Sequence, residues 1–266
     1  MIKCIVCDLD GTLIKYDDTM EKRTEQLLKK CIAQGIEFII ATGRDINMVI
    51  DFLNQYQLDC DLILNNGTQY CNKELTMNDI YPMSYDAFSK ISTILSSYGY
   101  LLAIHTNQGK YSFVDADAFW DYHYKLLLAS KDYKGFLPEK TFTTRSGYLR
   151  DFHYAKDAHE IIQKNDGLDI SSSFEDNIEI TSSITNKGKL LEKVIKEKGY
   201  AYDEVAVFGD GQNDVPMLQL FPYSFAPKNA SQSAKDAARY VLSTTNEEGA
   251  VFEGLEQLYK AGILKI

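Results

Sequence analysis

Short apolar runs and amphipathic stretches alternate along the first 70 residues of the chain. The runs at 4–7, 36–41 and 62–64 are continuous and rich in β-branched side chains, which is typical of strands covered on both faces. Between them, residues 19–34 and 46–56 repeat apolar side chains with the period of a helix. This βαβαβ order predicts a parallel sheet with right-handed crossovers.

The same alternation returns after residue 184. A helix, a buried strand, two helices, a strand and a last helix are predicted, in that order, at 187–199, 205–210, from 215, 229–239, 240–243 and 249–261. Pro216 is compatible with the first turn of its helix, where its missing N–H has no partner to lose. The two ends of the chain therefore look like halves of one α/β domain.

The stretch between the two halves has a different character. Tyrosine and phenylalanine become more frequent, and residues 100–105 and 110–114 resemble strands with one exposed face. The aromatic segment 119–128 is interpreted as a helix packing on that sheet. We predict an α/β core formed by residues 1–81 and 185–266, with an inserted α+β domain at 82–184.

Composition restricts the partners and the location. The chain of 266 residues is 45% hydrophobic and contains no apolar stretch approaching the roughly 20 residues of a membrane helix. The N-terminus lacks the pattern of a secretory signal. We expect a cytoplasmic protein with no membrane partner, either a monomer or a small homo-oligomer. A net charge of -10 without a basic run argues against nucleic acid as a partner.

The five cysteines all lie within the first 71 residues, and their odd number does not suit a disulfide framework. Cys4 and Cys7 form a C-x-x-C pattern. Because their odd separation on a strand points them to opposite faces, we interpret them as buried strand residues and not as a metal site.

Polar clusters follow four of the predicted strands. They are Asp8-Leu9-Asp10-Gly11-Thr12, Thr42-Gly43-Arg44, Asn65-Asn66-Gly67 and Gly209-Asp210-Gly211-Gln212-Asn213-Asp214. Ligands of open parallel sheets bind outside the carboxyl ends of the strands, so the clusters are expected to meet in one crevice. Asp8 and Asp10 point the same way, and two like charges so close require a cation or a shared proton.

These motifs resemble those of a known family. DLDGTL, ATGR, the Lys-Gly pair at Lys187 and GDGQND occur in the order of the four motifs of the haloacid dehalogenase-like phosphohydrolases. The segment NNG, the place of the insertion and the tail AAR-YVLS-TTNEEGAV are similar to the Cof-type subfamily, over the whole chain. The resemblance implies a Rossmann-like parallel-sheet core with an inserted α+β cap of the C2 type.

The resemblance also assigns roles to residues. It makes Asp8 the nucleophile, Asp10 the general acid/base and Lys187 the cation that holds the nucleophile and the phosphoryl group. It places Mg²⁺ on the Asp8 carboxylate, the Asp10 backbone carbonyl and Asp210, with Asp214 either binding the ion directly or lying one layer further out. The residues expected to bind phosphate or substrate are Thr12, Thr42, Gly43, Arg44, Asn66 and Asn213.

Some of these residues have a second reading. Arg44 is equally suited to a substrate oxygen or to a structural acid, and Asn66 with Gly67 would also form a plain turn. Lys228 and Asn229 stand where Cof-type relatives carry a Met-Gly-Asn pattern, and they are expected near the site. His105, His123, His153 and His159 of the insertion are interpreted as core or surface residues. Arg145 and Arg150 suit a surface position or a second anionic group.

The function implied is Mg²⁺-dependent hydrolysis of phosphomonoesters through an aspartyl-phosphate on Asp8. The subfamily resemblance implies small phosphorylated metabolites, sugar phosphates or phosphorylated cofactors, as substrates, with the cap selecting among them. Two alternatives remain open. One is a phosphomutase or phosphotransferase on the same fold, in which an added sugar competes with water; the other is a regulator that binds a phosphorylated metabolite without turnover.

Overall fold

The chain is described here by a computed structural model that covers residues 1–81, 100–106, 109–113, 140–145, 168–171 and 177–266. Two units are distinguished, one made of Met1–Asp79 and Asn186–Ile266 and the other of Ile80–Thr185. The helix predicted at 119–128 lies outside the described residues. So do His123, His153, His159 and Arg150.

The first unit is built on a sheet of eight strands in the order β13-β12-β11-β1-β2-β3-β4-β5. The strands are β1 (Cys4–Cys7), β2 (Glu37–Ala41), β3 (Asp61–Leu64), β4 (Gln69–Cys71), β5 (Met77–Ile80), β11 (Val205–Phe208), β12 (Tyr223–Ala226) and β13 (Tyr240–Val241). Every pair from β13 across to β3 is parallel. The predicted α/β class with a Rossmann-like core is confirmed.

Six helices of the first unit accompany the sheet. They are α1 (Lys22–Ala33), α2 (Ile46–Tyr56), α3 (Lys187–Glu197), α4 (Val215–Leu220), α5 (Gln232–Ala237) and α6 (Ala250–Lys260). Each begins within a few residues of the position that its apolar pattern predicts. Pro216 lies in the first turn of α4, where a residue without an N–H is tolerated. None of the helices in the described part of the chain is long and apolar enough to cross a membrane.

Both faces of the sheet are covered. All four residues of β1 are buried although successive side chains point to opposite faces. Ile5 and Cys7 belong to a hydrophobic cluster that also contains residues of α1, α2 and α6. On α3 and α4, which pack against each other, further apolar side chains are buried. The polar ends of the strands are therefore the part of this sheet left for chemistry.

The start of α1 differs from the sequence prediction, and the pairing of β4 was not predicted; both have clear causes. Helix α1 begins at Lys22 and not at residue 19, because Asp17 accepts hydrogen bonds from the backbone N–H and hydroxyl of Thr19 and keeps that segment in a turn. Strand β4 pairs antiparallel with β3. Asn65 and Asn66 both take positive φ angles, of 48° and 56°, and the turn that they form reverses the chain.

The second unit contains a separate sheet of five strands in the order β7-β6-β8-β10-β9. The strands are β6 (Tyr100–Thr106), β7 (Gly109–Phe113), β8 (Lys140–Arg145), β9 (Leu168–Ser171) and β10 (Asn177–Ser182). All four pairings are antiparallel. His105 therefore lies on β6 and Arg145 at the end of β8.

Candidate functional site

The polar clusters meet at the carboxyl end of the central strands of the first unit. Cys7, the last residue of β1, is in register with Ile40 of β2 and Phe208 of β11. The residue that follows it, Asp8, continues the ladder, because its N–H donates to the Phe208 carbonyl at 2.9 Å. The predicted convergence of the first, second and fourth clusters follows directly from this register.

A buried lysine joins two buried carboxylates. Lys187, the first residue of α3, is fully buried, and its Nζ lies 2.7 Å from Oδ1 of Asp8 and 2.7 Å from Oδ1 of Asp214. Burial opposes the charged ammonium, but Asp214 and Asp8 together raise the pKa of Lys187 above its ordinary value. The lysine is therefore a fixed positive charge next to Asp8.

Asp214 also organises the loop before it. Its second oxygen, Oδ2, accepts hydrogen bonds from the backbone N–H groups of Asp210 and Gly211, both at 2.9 Å. A side chain at Gly209 would meet the Asp214 side chain at 2.5 Å, so only glycine fits there. Both oxygens of Asp214 are thus engaged by donors of the protein, which favours a structural place for this carboxylate.

The side chain of Asp210 contacts residues of the first motif. The hydroxyl of Thr12 donates to Asp210 Oδ1 at 2.9 Å. The φ angle of Gly11 is +73°, and an added Cβ would lie 2.4 Å from Asp210 Oδ2, so glycine is required for both conformation and space. Thr12, predicted as a phosphate or substrate residue, thus contacts an acid of the fourth motif.

The three acids form a group that suits a divalent cation. One carboxylate oxygen from each of Asp8, Asp210 and Asp214 lies within 4.8 Å of the others. Burial raises the pKa of Asp8 well above its ordinary value and that of Asp210 to about 7, and the neighbouring acid Asp214 adds to both effects. When all three carboxylates are ionised, their charge exceeds that of the one ammonium of Lys187 by two. Oxygen donors with this excess charge fit Mg²⁺.

Asp10 is held by an arginine. Arg44 donates from Nε to Asp10 Oδ2 at 2.9 Å and from Nη2 to Asp10 Oδ1 at 2.6 Å, which is a bidentate pair. The same Nη2 donates to Asp18 Oδ1 at 2.6 Å. The hydrogen bonds to Asp10, followed by those to Asp18, raise the pKa of Arg44 further above its ordinary value. The sequence left open whether Arg44 contacts a substrate oxygen or a structural acid. In the structure it contacts two acids, Asp10 and Asp18.

The second and third motifs are linked at the carboxyl ends of β2 and β3. Thr42 is fully buried, and its Oγ1 accepts from the Arg44 N–H at 3.1 Å, with Gly43 between them. The Thr42 carbonyl accepts from the Asn66 N–H at 3.1 Å. Asn66 Oδ1 in turn accepts from Asn213 Nδ2 at 3.0 Å. The turn after β3 therefore contacts both the second and the fourth motif.

Gly67 explains why this turn is so close to the lysine. Its φ angle is +91°, and a Cβ would lie 2.3 Å from the backbone carbon of Asn186 and 2.6 Å from the N atom of Lys187. The turn therefore packs directly under the first turn of α3. Asn186 caps that helix through its side chain, which accepts from the Lys189 N–H.

A pair of asparagines near the C-terminus braces the first motif. Asn229 Nδ2 donates to the Gly11 carbonyl at 2.8 Å, and its Oδ1 accepts from the Asn246 N–H at 2.9 Å. Asn246 Nδ2 donates to the Ile14 carbonyl at 2.9 Å. Asn229, which was expected near the site, thus contacts the first motif, and Lys228 is exposed. The sequence analysis missed Asn246 and Asp18, although the tail TTNEEGAV contains the asparagine.

Comparison with known proteins identifies a family and several relatives over most of the chain. Residues 5–255 match the sequence profile of a haloacid dehalogenase-like hydrolase. A 5-amino-6-(5-phospho-D-ribitylamino)uracil phosphatase of Bacillus subtilis is 23% identical over 252 residues, covering 93% of this chain and 92% of that protein. A pyridoxal phosphate phosphatase of Escherichia coli is 25% identical over 265 residues, covering 90% and 93%.

The fold has solved counterparts as well. A haloacid dehalogenase-like hydrolase from B. subtilis superposes with a TM-score of 0.84 at 20% identity, over 97% of this chain and 100% of the other. With the profile match spanning nearly the whole sequence, the chain belongs to the haloacid dehalogenase-like hydrolases.

Proposed function

We propose that this protein is a Mg²⁺-dependent phosphomonoester hydrolase that acts on small phosphorylated metabolites through an aspartyl-phosphate on Asp8. The observation that carries the proposal is the setting of Asp8. Its carboxylate is buried, accepts a hydrogen bond from a buried lysine and lies within 4.8 Å of two further carboxylates. A nucleophile that carries negative charge can approach a phosphate dianion only where positive charge compensates both.

The proposed reaction has two displacements. A carboxylate oxygen of Asp8 attacks phosphorus, and the bond between phosphorus and the leaving-group oxygen breaks as the new bond forms. The carboxyl group of Asp10 gives its proton to the departing oxygen. In the second displacement Asp10 takes a proton from water, which attacks the phosphoryl group and restores Asp8. Proton transfer of this kind contributes roughly 10² to 10⁴-fold to a rate.

Mg²⁺ would be held by Asp8, Asp210 and the backbone carbonyl of Asp10. When bound, the ion supplies positive charge for the oxygens of the transferring phosphoryl group. Lys187, whose Nζ lies 2.7 Å from Asp8 Oδ1, would supply a second positive charge. Asp214, whose oxygens already accept from Lys187 and two backbone N–H groups, would hold the lysine and the Asp210 loop in place without binding the ion.

Phosphate and substrate contacts are proposed for the second and third motifs. The Thr42 hydroxyl and the Gly43 N–H belong to the segment that follows β2, next to Asp8 in the sheet. Asn66 and Asn213, which hydrogen-bond to each other, present amide groups at the same end. These donors suit the oxygens of a phosphate or the hydroxyl groups of a small polar substrate.

The substrate class is proposed from the relatives. They are named for phosphorylated ribitylaminouracil, pyridoxal phosphate and, in a Klebsiella pneumoniae protein that is 27% identical, HMP-PP. One structural counterpart is described as a sugar phosphatase. We therefore propose phosphorylated cofactors, their precursors and sugar phosphates as the compounds to test.

The test is phosphate release from a panel of these compounds with Mg²⁺, comparing the natural protein with Asp8→Asn. Acid quenching during turnover, followed by peptide mass analysis, looks for one phosphoryl group on the peptide that contains Asp8. An added sugar acceptor is included in a parallel reaction. Asp17→Asn is the control, because Asp17 is an exposed acid of the same peptide region.

We expect turnover that Asp8→Asn abolishes and Asp17→Asn leaves intact, with the phosphoryl group on Asp8. Transfer to the added sugar in preference to water would replace hydrolysis by a phosphotransferase function. Tight binding of a phosphorylated compound without phosphate release, in folded protein with Mg²⁺, would support a binding regulator and overturn the proposal.

A further inference from the structure

Arg44 divides its guanidinium group between two acids from different parts of the first loop. Nε and Nη2 hold both oxygens of Asp10, and the other hydrogen of Nη2 points to Asp18 Oδ1, at 2.6 Å. The guanidinium group is planar, so acceptors on two sides of Nη2 fix the orientation of the whole fork. Asp18 therefore limits how Arg44, and with it Asp10, can turn.

Asp18 is presented by an ordered turn. Its φ angle of 59° lies in the left-handed region, which aspartate tolerates better than most residues. The Asp18 N–H donates to the Lys15 carbonyl at 3.1 Å, and the Lys15 N–H donates to the Thr19 carbonyl at 2.8 Å. Tyr16 is tied to the C-terminal region, since its N–H donates to Glu247 Oε1 at 2.7 Å. The carboxylate is thus aimed at Arg44 by the backbone.

We propose that Asp18 is a positioning residue that acts through Arg44 to orient the Asp10 carboxyl group, which in its protonated form gives the proton to the leaving group. The inference rests on the proposed function, since it assigns the use of Asp10 in that reaction. Asp18 itself is well exposed and contacts neither Asp8 nor the other buried acids through the hydrogen bonds described here. Asp18 is connected to Asp10 through the side chain of Arg44.

The loss of rate on removal of Asp18 should therefore depend on the leaving group of the substrate. An alkyl phosphate releases a poor leaving group, which needs a proton from a well-placed acid. A p-nitrophenyl phosphate releases a stable phenolate, for which that proton matters little. Misorientation of Asp10 should therefore slow the alkyl ester and spare the aryl ester, whereas general damage to the site would slow both.

The experiment measures kcat/KM for the best alkyl phosphate of the panel and for p-nitrophenyl phosphate, because this constant includes the step in which the leaving group departs. For Asp18→Asn we expect the alkyl value to fall about 2- to 5-fold, the effect of one exposed charge pair, with the aryl value unchanged. The matched control is Asp17→Asn, which removes the same charge one residue away and keeps the acceptor for Thr19.

A double-mutant cycle tests the route through Arg44. In an Arg44→Ala background, which should lower the alkyl value by about 10²-fold, Asp18→Asn is expected to have no further effect. Equal losses on both esters from Asp18→Asn, no loss on either, or a full additional loss in the Arg44→Ala background would each overturn the inference.

A second measurement does not depend on turnover. The Nε–H of Arg44, identified by its loss in Arg44→Lys, is expected to exchange slowly with water in the natural protein and measurably faster in Asp18→Asn, by nuclear magnetic resonance. Unchanged exchange would show that Asp18 does not hold the arginine. If the natural protein releases no phosphate from any compound, the proposed function fails, and the catalytic use of the contact fails with it even where exchange responds.

Discussion

Lys187 Nζ lies 2.7 Å from Asp8 Oδ1, although 179 residues separate the two along the chain. The lysine is fully buried, and the Asp8 side chain is only 7% exposed. Because both side chains are buried, water cannot take the place of either partner. Loss of either side chain would therefore leave a buried charge without its partner.

Lys187→Met should reduce both activity and stability. Loss of the cation leaves Asp8 and Asp214 buried without it, so we expect phosphate release to fall by about 10² to 10³-fold. The free energy of unfolding of the metal-free protein should fall by about 3–5 kcal/mol, measured with urea. Lys189→Met is the control, because Lys189 lies on the exposed side of the same helix. Equal effects from the two substitutions would contradict the special role of Lys187.

Asp210 and Asp214 should differ in their effect on Mg²⁺ binding. Asp210→Asn is expected to lower the affinity for Mg²⁺ by more than about 100-fold, because it removes a ligand. Asp214→Asn should lower that affinity by about 10- to 100-fold, because it disturbs the loop that carries Asp210. Calorimetric titration of Mg²⁺ into each metal-free variant gives the two constants. A larger loss for Asp214→Asn would mean that Asp214 binds the ion directly.

The stability of the metal-free protein should fall as the pH rises. Burial raises the pKa of Asp210 to about 7 from an ordinary value near 3.8, so the folded protein holds this proton more tightly than the unfolded chain. The contribution of this proton to the stability of the fold is full below pH 3.8 and is lost as the pH rises towards and through 7. We expect a lower Tm at pH 8 than at pH 6, and a smaller difference in Asp210→Asn or with Mg²⁺ present.

The control for this pH effect is Asp203→Asn, which changes an exposed acid of the same unit. It should leave the difference between pH 6 and pH 8 as it is in the natural protein. A Tm that rises between the two pH values, or one that Asp210→Asn does not affect, would show that Asp210 is already ionised in the metal-free fold.

Gly67→Ala should damage the site more than a comparable glycine substitution elsewhere. The added Cβ would meet the backbone of Asn186 at 2.3 Å and force the NNG turn away from Lys187. Gly199 also has a positive φ, of 73°, but open space around it, so Gly199→Ala carries only the conformational cost of about 1–2 kcal/mol. We expect Gly67→Ala to lose more stability in urea and also to lose activity. Equal losses would show that the turn adjusts.

The positions of the site residues were largely predictable because the carboxyl ends of parallel strands share one edge. Continuous apolar runs identified β1, β2 and β11, and the polar clusters that follow them had to converge. Individual side-chain partners were not predictable in the same way. Thr12 contacts Asp210, and Arg44 contacts Asp10 and Asp18, because loops with left-handed residues aim these side chains. No apolar period encodes the conformation of such loops.

The central place of β1 has a consequence for the synthesis of the chain. One edge of β1 pairs with β2, which follows within about forty residues, but the other edge pairs with β11, which begins at Val205. Until the ribosome has made β11, a fully apolar strand keeps one row of backbone groups without its final partner. A truncated product that ends in the insertion would therefore expose an unpaired strand edge that is prone to aggregation, and it would also lack Lys187.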